Sequence, residues 1–133
     1  MRNMLLWCVF SCSMFLLTAC AQTVQTPSPA VTPLSPGVPI LLIRTPLPPS
    51  VQYEVLGTIM VHKTSYGSAD WALDQLAAEA RAAGANAIMD VTIGFVPSWG
   101  GWATPQSTGT AILITAPSVK QVSQLPTVQA EWR

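Results

Sequence analysis

The feature that most constrains this chain is a change of hydrophobic period along its second half. Residues 53–62 alternate, with Tyr53, Val55, Gly57, Ile59 and Val61 set against Glu54, Leu56, Thr58, Met60 and His62, and that period of two predicts a strand. Tyr66-Gly67-Ser68 breaks it. Residues 69–83 are rich in Ala, Leu, Glu, Gln and Arg, with Ala72, Leu73, Leu76, Ala80 and Ala83 spaced for one helical face. Ser68 is a fitting N-cap, Asp70 suits the first turn, and Gly84 stops the helix. A second alternating run follows, with Ala87, Met89, Val91, Ile93 and Phe95 on one side and Ile88, Asp90, Thr92 and Gly94 on the other. After a loop over 97–106, residues 109–116 form a third run. The expected unit is an α+β, two-layer β-α-β-β domain at 51–116. Its antiparallel sheet has spatial order 1-3-2, one face is covered by the helix, and a polar tail follows at 117–133.

The first 19 residues stand outside that domain. Met1-Arg2-Asn3 is a short basic start, and residues 4–17 are apolar apart from Ser11 and Ser13. A bilayer core of about 30 Å takes roughly 20 helical residues, so the run is too short to span and fits the apolar region of a signal peptide. It closes on Leu17-Thr18-Ala19-Cys20, which looks like a lipobox. Small residues at Thr18 and Ala19 admit a peptidase, cleavage falls between Ala19 and Cys20, and the thiol is the nucleophile suited to thioether lipidation. Several acyl chains, at about 0.8 kcal/mol per buried methylene, make such an attachment effectively permanent. Ala21, rather than Asp, after the lipidated cysteine points to the outer membrane, facing the periplasm. Cys8 and Cys12 leave with the leader and Cys20 carries lipid. The mature chain is therefore expected to have no thiolate site and no disulfide.

Residues 20–50 carry prolines at 27, 29, 33, 36, 39, 46, 48 and 49, the composition of an extended tether. Ile40-Leu41-Leu42-Ile43 is too apolar for a pure spacer. Within 39–45 it reads either as an edge strand clipped onto the domain or as a sticky patch in the linker. The domain is small enough for a lone core to be marginal. Leu56, Met60, Ile88, Ile112 and Ile114 place apolar groups away from the helix or beside it. Residues 39–43 or a second subunit are expected to cover them, and self-association is the favoured expectation.

Beyond Ala19, five basic residues face six acidic ones, which gives no basic patch and excludes nucleic acid as a partner. His62 is the sole histidine. With Asp90 or Glu54 it offers too few ligands for a tight metal site, and a solvated position is the simpler reading. No serine is placed beside a base, and Trp99-Gly100-Gly101-Trp102 lacks the lysine of a phosphate loop, so the sequence points away from catalysis and from a bound cofactor. Asn86, in Gly84-Ala85-Asn86-Ala87, reads as a structural corner residue. Trp71 reads as core. Trp99 and Trp102, flanked by glycines, either fold back over the sheet or contact a partner.

The segments Tyr53-Glu-Val-Leu-Gly-Thr-Ile, Ala83-Gly-Ala-Asn-Ala-Ile-Met-Asp-Val-Thr and Gly109-Thr-Ala-Ile, with the alanine-rich helix between the first two, resemble the YbjQ-type family, often labelled a heavy-metal-binding domain. They are also similar to the outer-membrane stress-sensor lipoproteins of the Rcs phosphorelay, which share a lipidated cysteine and a Pro-rich tether. The resemblance covers about half the chain. It implies a dodecin-like subunit and, for YbjQ-type proteins, a ring-shaped oligomer. The cysteines of the Rcs sensors are missing here, as are the soft ligands a heavy-metal site would use. The function expected is a membrane-attached, non-enzymatic interaction or sensor module. The alternative is an oligomer that binds a small ligand or metal.

Overall fold

The computed structural model describes residues 31–133; the leader, the Ala19–Cys20 junction and the first part of the tether lie outside the described residues. The chain forms a small α+β domain with the element order β1 (Leu41–Ile43), β2 (Gln52–His62), α1 (Ala69–Ala82), β3 (Ala87–Pro97), β4 (Ala103–Ala116), α2 (Val119–Ser123) and β5 (Ala130–Trp132). One five-stranded sheet runs β2-β4-β3-β1-β5. The expectation of a three-stranded, wholly antiparallel sheet is thus corrected. β1 adds a parallel pairing to β3 and β5 pairs antiparallel with β1.

The segment expected as an edge clip is an interior strand. Ile40, Leu41, Leu42 and Ile43 are completely buried. Their alternation splits them between two cores, Ile40 and Leu42 under α1, Leu41 and Ile43 on the opposite face. Backbone bonds lock this strand to both neighbours, Leu41 N–H donating to Asn86 O (3.3 Å) and Ile40 and Arg133 exchanging a pair (2.7 and 3.0 Å). Prolines confine the strand to three residues without displacing it from the sheet.

The first core lies between the sheet and α1. Ser68 caps the helix by accepting from Trp71 N–H (3.2 Å), and Gly84 leaves it at φ +77, where a side chain is strained. Val31 packs against that glycine and Leu34 N–H donates to Arg81 O (2.9 Å), so the chain enters the domain at the C-terminal end of α1. Trp71 is only partly buried against this core, with Lys63 Nζ 4.8 Å from the centre of its ring.

The second core corrects two further expectations. Residues 117–133 are not a loose tail. Val122, with Val119, Leu125, Val128 and Ala130, packs against Ile112, Ile114, Ala87 and Met89. Leu41 and Ile43 do reach this face, as expected of residues 39–43, but the C-terminal segment supplies most of its cover, and Met60 stays exposed beyond it. Ser118 caps α2 in a reciprocal arrangement with Gln121.

Two register shifts explain why strict alternation misassigns faces. In β3 the shift between Met89 and Thr92, with Asp90 at φ +54, moves Ile88, Val91 and Ile93 onto the α1 face while Ala87 and Met89 face α2. In β2 a shift between Val55 and Gly57 brings Leu56, Ile59 and Val61 together under α1.

Candidate functional site

The loop expected over 97–106 is much shorter, because β3 continues to Pro97 and β4 starts at Ala103. Pro105 sits within β4 opposite Phe95. It has no N–H to offer, but its carbonyl accepts from Lys63 N–H (3.2 Å). What remains is a tight hairpin tip at residues 98–102. Gly101 N–H donates to Ser98 O (3.0 Å), and Ser98 N–H and Oγ–H both donate to Trp102 O (2.8 and 3.0 Å). Gly101 adopts φ +77, which a glycine tolerates at the αL position of a three-residue hairpin loop. A Cβ on Gly100 would clash with Trp102 Nε1, so the indole rests against bare backbone there.

These constraints hold Trp99 and Trp102 in solvent. Trp99 is 108% exposed and Trp102 63% exposed. Neither folds back over the sheet. Tyr66, Phe95 and Met60 are exposed at the same end of the molecule. The hairpin overhangs the helix, since Gly67, just before α1, already packs on Pro105. Beyond Phe95 the strand continues for two residues to Pro97 before the tip, an overhang of about 7 Å.

Trp102 divides two clefts. One, of about 500 Å³, is lined by Thr64, Ser65, Tyr66 and Trp102. The other, of about 350 Å³, is bounded by His62, Thr64, Thr104, Pro97, Trp99 and Trp102. Thr104 Oγ1 donates to Val96 O (3.1 Å) and lies 3.4 Å from His62 Nε2, so the imidazole edge is steered toward the cleft floor. Neither 55–69 nor 91–130 contains an Asp or Glu, and among the residues lining the two clefts only His62 and the Tyr66 phenol are ionisable. Sequence reasoning found the two indoles but not Tyr66, Thr64 and Thr104 beside them. The long run without acids was the available signal.

Charge collects elsewhere. Arg133 donates to Asp70 (2.8 Å), Asp74 (3.2 Å) and Glu131 (3.4 Å). Its guanidinium is held above its ordinary value chiefly by the hydrogen bond to Asp70, against a lowering by burial. Arg81 donates to Val38 O (2.5 Å) and Arg133 O (2.8 Å). These contacts pin β5 and the incoming chain to α1, a structural role.

His62 and Glu54 stand at opposite ends of β2, and Asp90 lies in the β3 irregularity. Among the described residues no three of His, Cys, Asp and Glu gather as metal ligands. Asn86 does structural work: its Nδ2 donates to Ile114 O (3.0 Å) and its Oδ1 accepts from Ile114 N–H (2.8 Å), a side chain pairing with β4 as a strand would. No family model, curated protein or solved structure matches the chain.

Proposed function

We propose that this chain is a lipid-anchored cell-envelope protein that works without catalysis, by contact through the tryptophan tip of its β3–β4 hairpin. The observation that carries the reading is the pair Trp99 and Trp102, kept in water by a turn that three hydrogen bonds fix. Indoles left in water on a rigid support are costly unless something covers them, and tryptophan is the residue most enriched where binding energy concentrates. Leu17-Thr18-Ala19-Cys20 supports the anchor, and Ala21 supports an outer-membrane position facing the periplasm. Kinship with the YbjQ-type family and a dodecin-like descent of the β2-α1-β3-β4 unit belong to the same proposal, supported by the motifs at 53–59, 83–92 and 109–112.

Two measurements test it. Mass spectrometry of the cell-made protein should find a chain beginning at an acylated Cys20, and Cys20→Ala should accumulate as the unprocessed precursor. A photo-crosslinking amino acid at position 99 should capture a neighbour in cells, whereas one at Glu79, exposed on α1, should not. No adduct at position 99 would sink the contact surface.

A second reading, self-association, is supported by β2. It is an outer strand of eleven residues with no Lys, Arg or Pro, and both its register shifts and its one charged residue, Glu54, lie in its first half, which leaves residues 58–62 as an unguarded edge. Light scattering on the intact protein should then give a multiple of the chain mass, reduced to one chain by Val55→Pro. A single-chain mass for the unmodified protein removes this reading.

A further inference from the structure

We infer that the two clefts flanking Trp102 bind a neutral glycan, a polymer of pyranose rings, with the indoles as stacking platforms; the inference rests on the contact reading above and names its partner. Three observations converge on it. First, the chemistry of the walls matches a sugar. A pyranose has an apolar C–H face that suits the negative face of an indole. It also has a rim of hydroxyls that need partners, and Thr64, Ser65, Tyr66 and His62 bring hydroxyls and an imidazole to the cleft edges.

Second, no carboxylate lines either cleft, so an uncharged ligand loses no ion hydration and meets no repulsion there. A ligand recognised by charge would find only His62 and Lys63, and Lys63 already lies over Trp71. Two clefts sharing one indole also favour a ligand of repeating units over a single small molecule. Consecutive rings can occupy the two sides of Trp102 without any rearrangement of the protein.

Third, the geometry of attachment argues against the anchoring bilayer as the occupant. The described chain enters beside Gly84, at the far end of α1 from the hairpin tip. β3 then runs eleven residues from that end to the tip, about 36 Å. From Cys20 to Val31 the chain reaches at most about 40 Å even when fully extended. The tip is therefore the part of the domain farthest from the point where the tether enters, and in an upright domain it faces the polymers of the envelope; only a domain lying flat brings Trp99 to its own membrane.

The test uses the lipidated protein in detergent, co-sedimented with insoluble chitin, a neutral polymer of pyranose rings, and titrated with tetra-N-acetylglucosamine while tryptophan emission is followed. Wild type should pellet with chitin and change its emission on titration. Trp102→Ala should weaken both at least tenfold, and Trp102→Tyr should restore part of the binding by keeping an aromatic face. Failure of wild type to pellet, or pelleting of Trp102→Ala as well as wild type, overturns the glycan. So does quenching of the tip by brominated phospholipid in proteoliposomes, if Trp99→Phe with Trp102→Phe abolishes it, since that places the tip in lipid. A protein adduct from position 99 with no affinity for either glycan probe would end this inference and leave the contact reading standing. No adduct of any kind ends both.

Discussion

Replacing Leu41 or Leu42 by alanine asks whether β1 is structural core or an attached clip. Each side chain is fully buried, Leu41 against Val122 and Ile112 in the core under α2, Leu42 against the core under α1. A buried Leu→Ala change costs about 2–5 kcal/mol, transfer and cavity together. A domain of this size has about 5–15 kcal/mol in hand. The two residues line different cores but are neighbours in one three-residue strand, so they couple through its backbone, and the double variant should lose more than either single change without reaching their simple sum. Urea unfolding followed by tryptophan emission measures this. With a slope of roughly 1–3 kcal/mol per molar urea, each single variant should lose one to several molar in its midpoint. The double variant should have the lowest midpoint of the three. Val55→Ala, on an exposed side chain of the outer strand, should stay within about 0.5 kcal/mol of the parent. If Leu41→Ala and Leu42→Ala each cost less than 1 kcal/mol, β1 does not lie between two cores and the sheet has been wrongly built.

Asn86→Ala removes both bonds to Ile114 and strands that residue's amide and carbonyl, an expected loss of about 2–4 kcal/mol in the same urea assay. Gly109→Ala puts a Cβ 2.5 Å from Ile88 Cγ2, which overpacking prices at about 1–3 kcal/mol; Ile88→Val, which keeps that methyl, should not relieve it. Ser107→Ala deletes a buried hydroxyl that donates to Ala72 O (2.9 Å) where α1 meets β4, and thermal unfolding should show about 1–3 kcal/mol of loss. Trp99→Ala should leave the unfolding free energy within about 0.5 kcal/mol while removing whatever the tip captures, because its side chain touches almost nothing in the fold.

Local signals sufficed for α1 because each is a short-range effect: the Ser68 cap, the apolar spacing and the Gly84 stop act within one or two turns. The long strands were legible for the same reason. Their faces were not. One extra residue at Asp90 or at Leu56 reverses every side chain beyond it, and a bulge leaves little trace in an alternating run. The two segments that escaped, β1 and the α2–β5 stretch, owe their structure to partners far away in sequence. Ile40 bonds to Arg133, and Val122 fills a space bounded by β4. Prolines and polar residues around them argue for extended chain, and only tertiary packing overrides that preference. At the tip, the indoles and glycines were visible at once. The cleft walls were not, because Tyr66 and Thr64 reach Trp102 only after β2 and β4 have paired.

The bonds between Ile40 and Arg133 also set a schedule. A chain that emerges N-terminus first presents β1 long before β5 exists to flank it, and four aliphatic side chains wait uncovered meanwhile. The neighbouring prolines slow any premature pairing along that stretch. Until β5 has been made, this protein is an open book, and that strand is what shuts it.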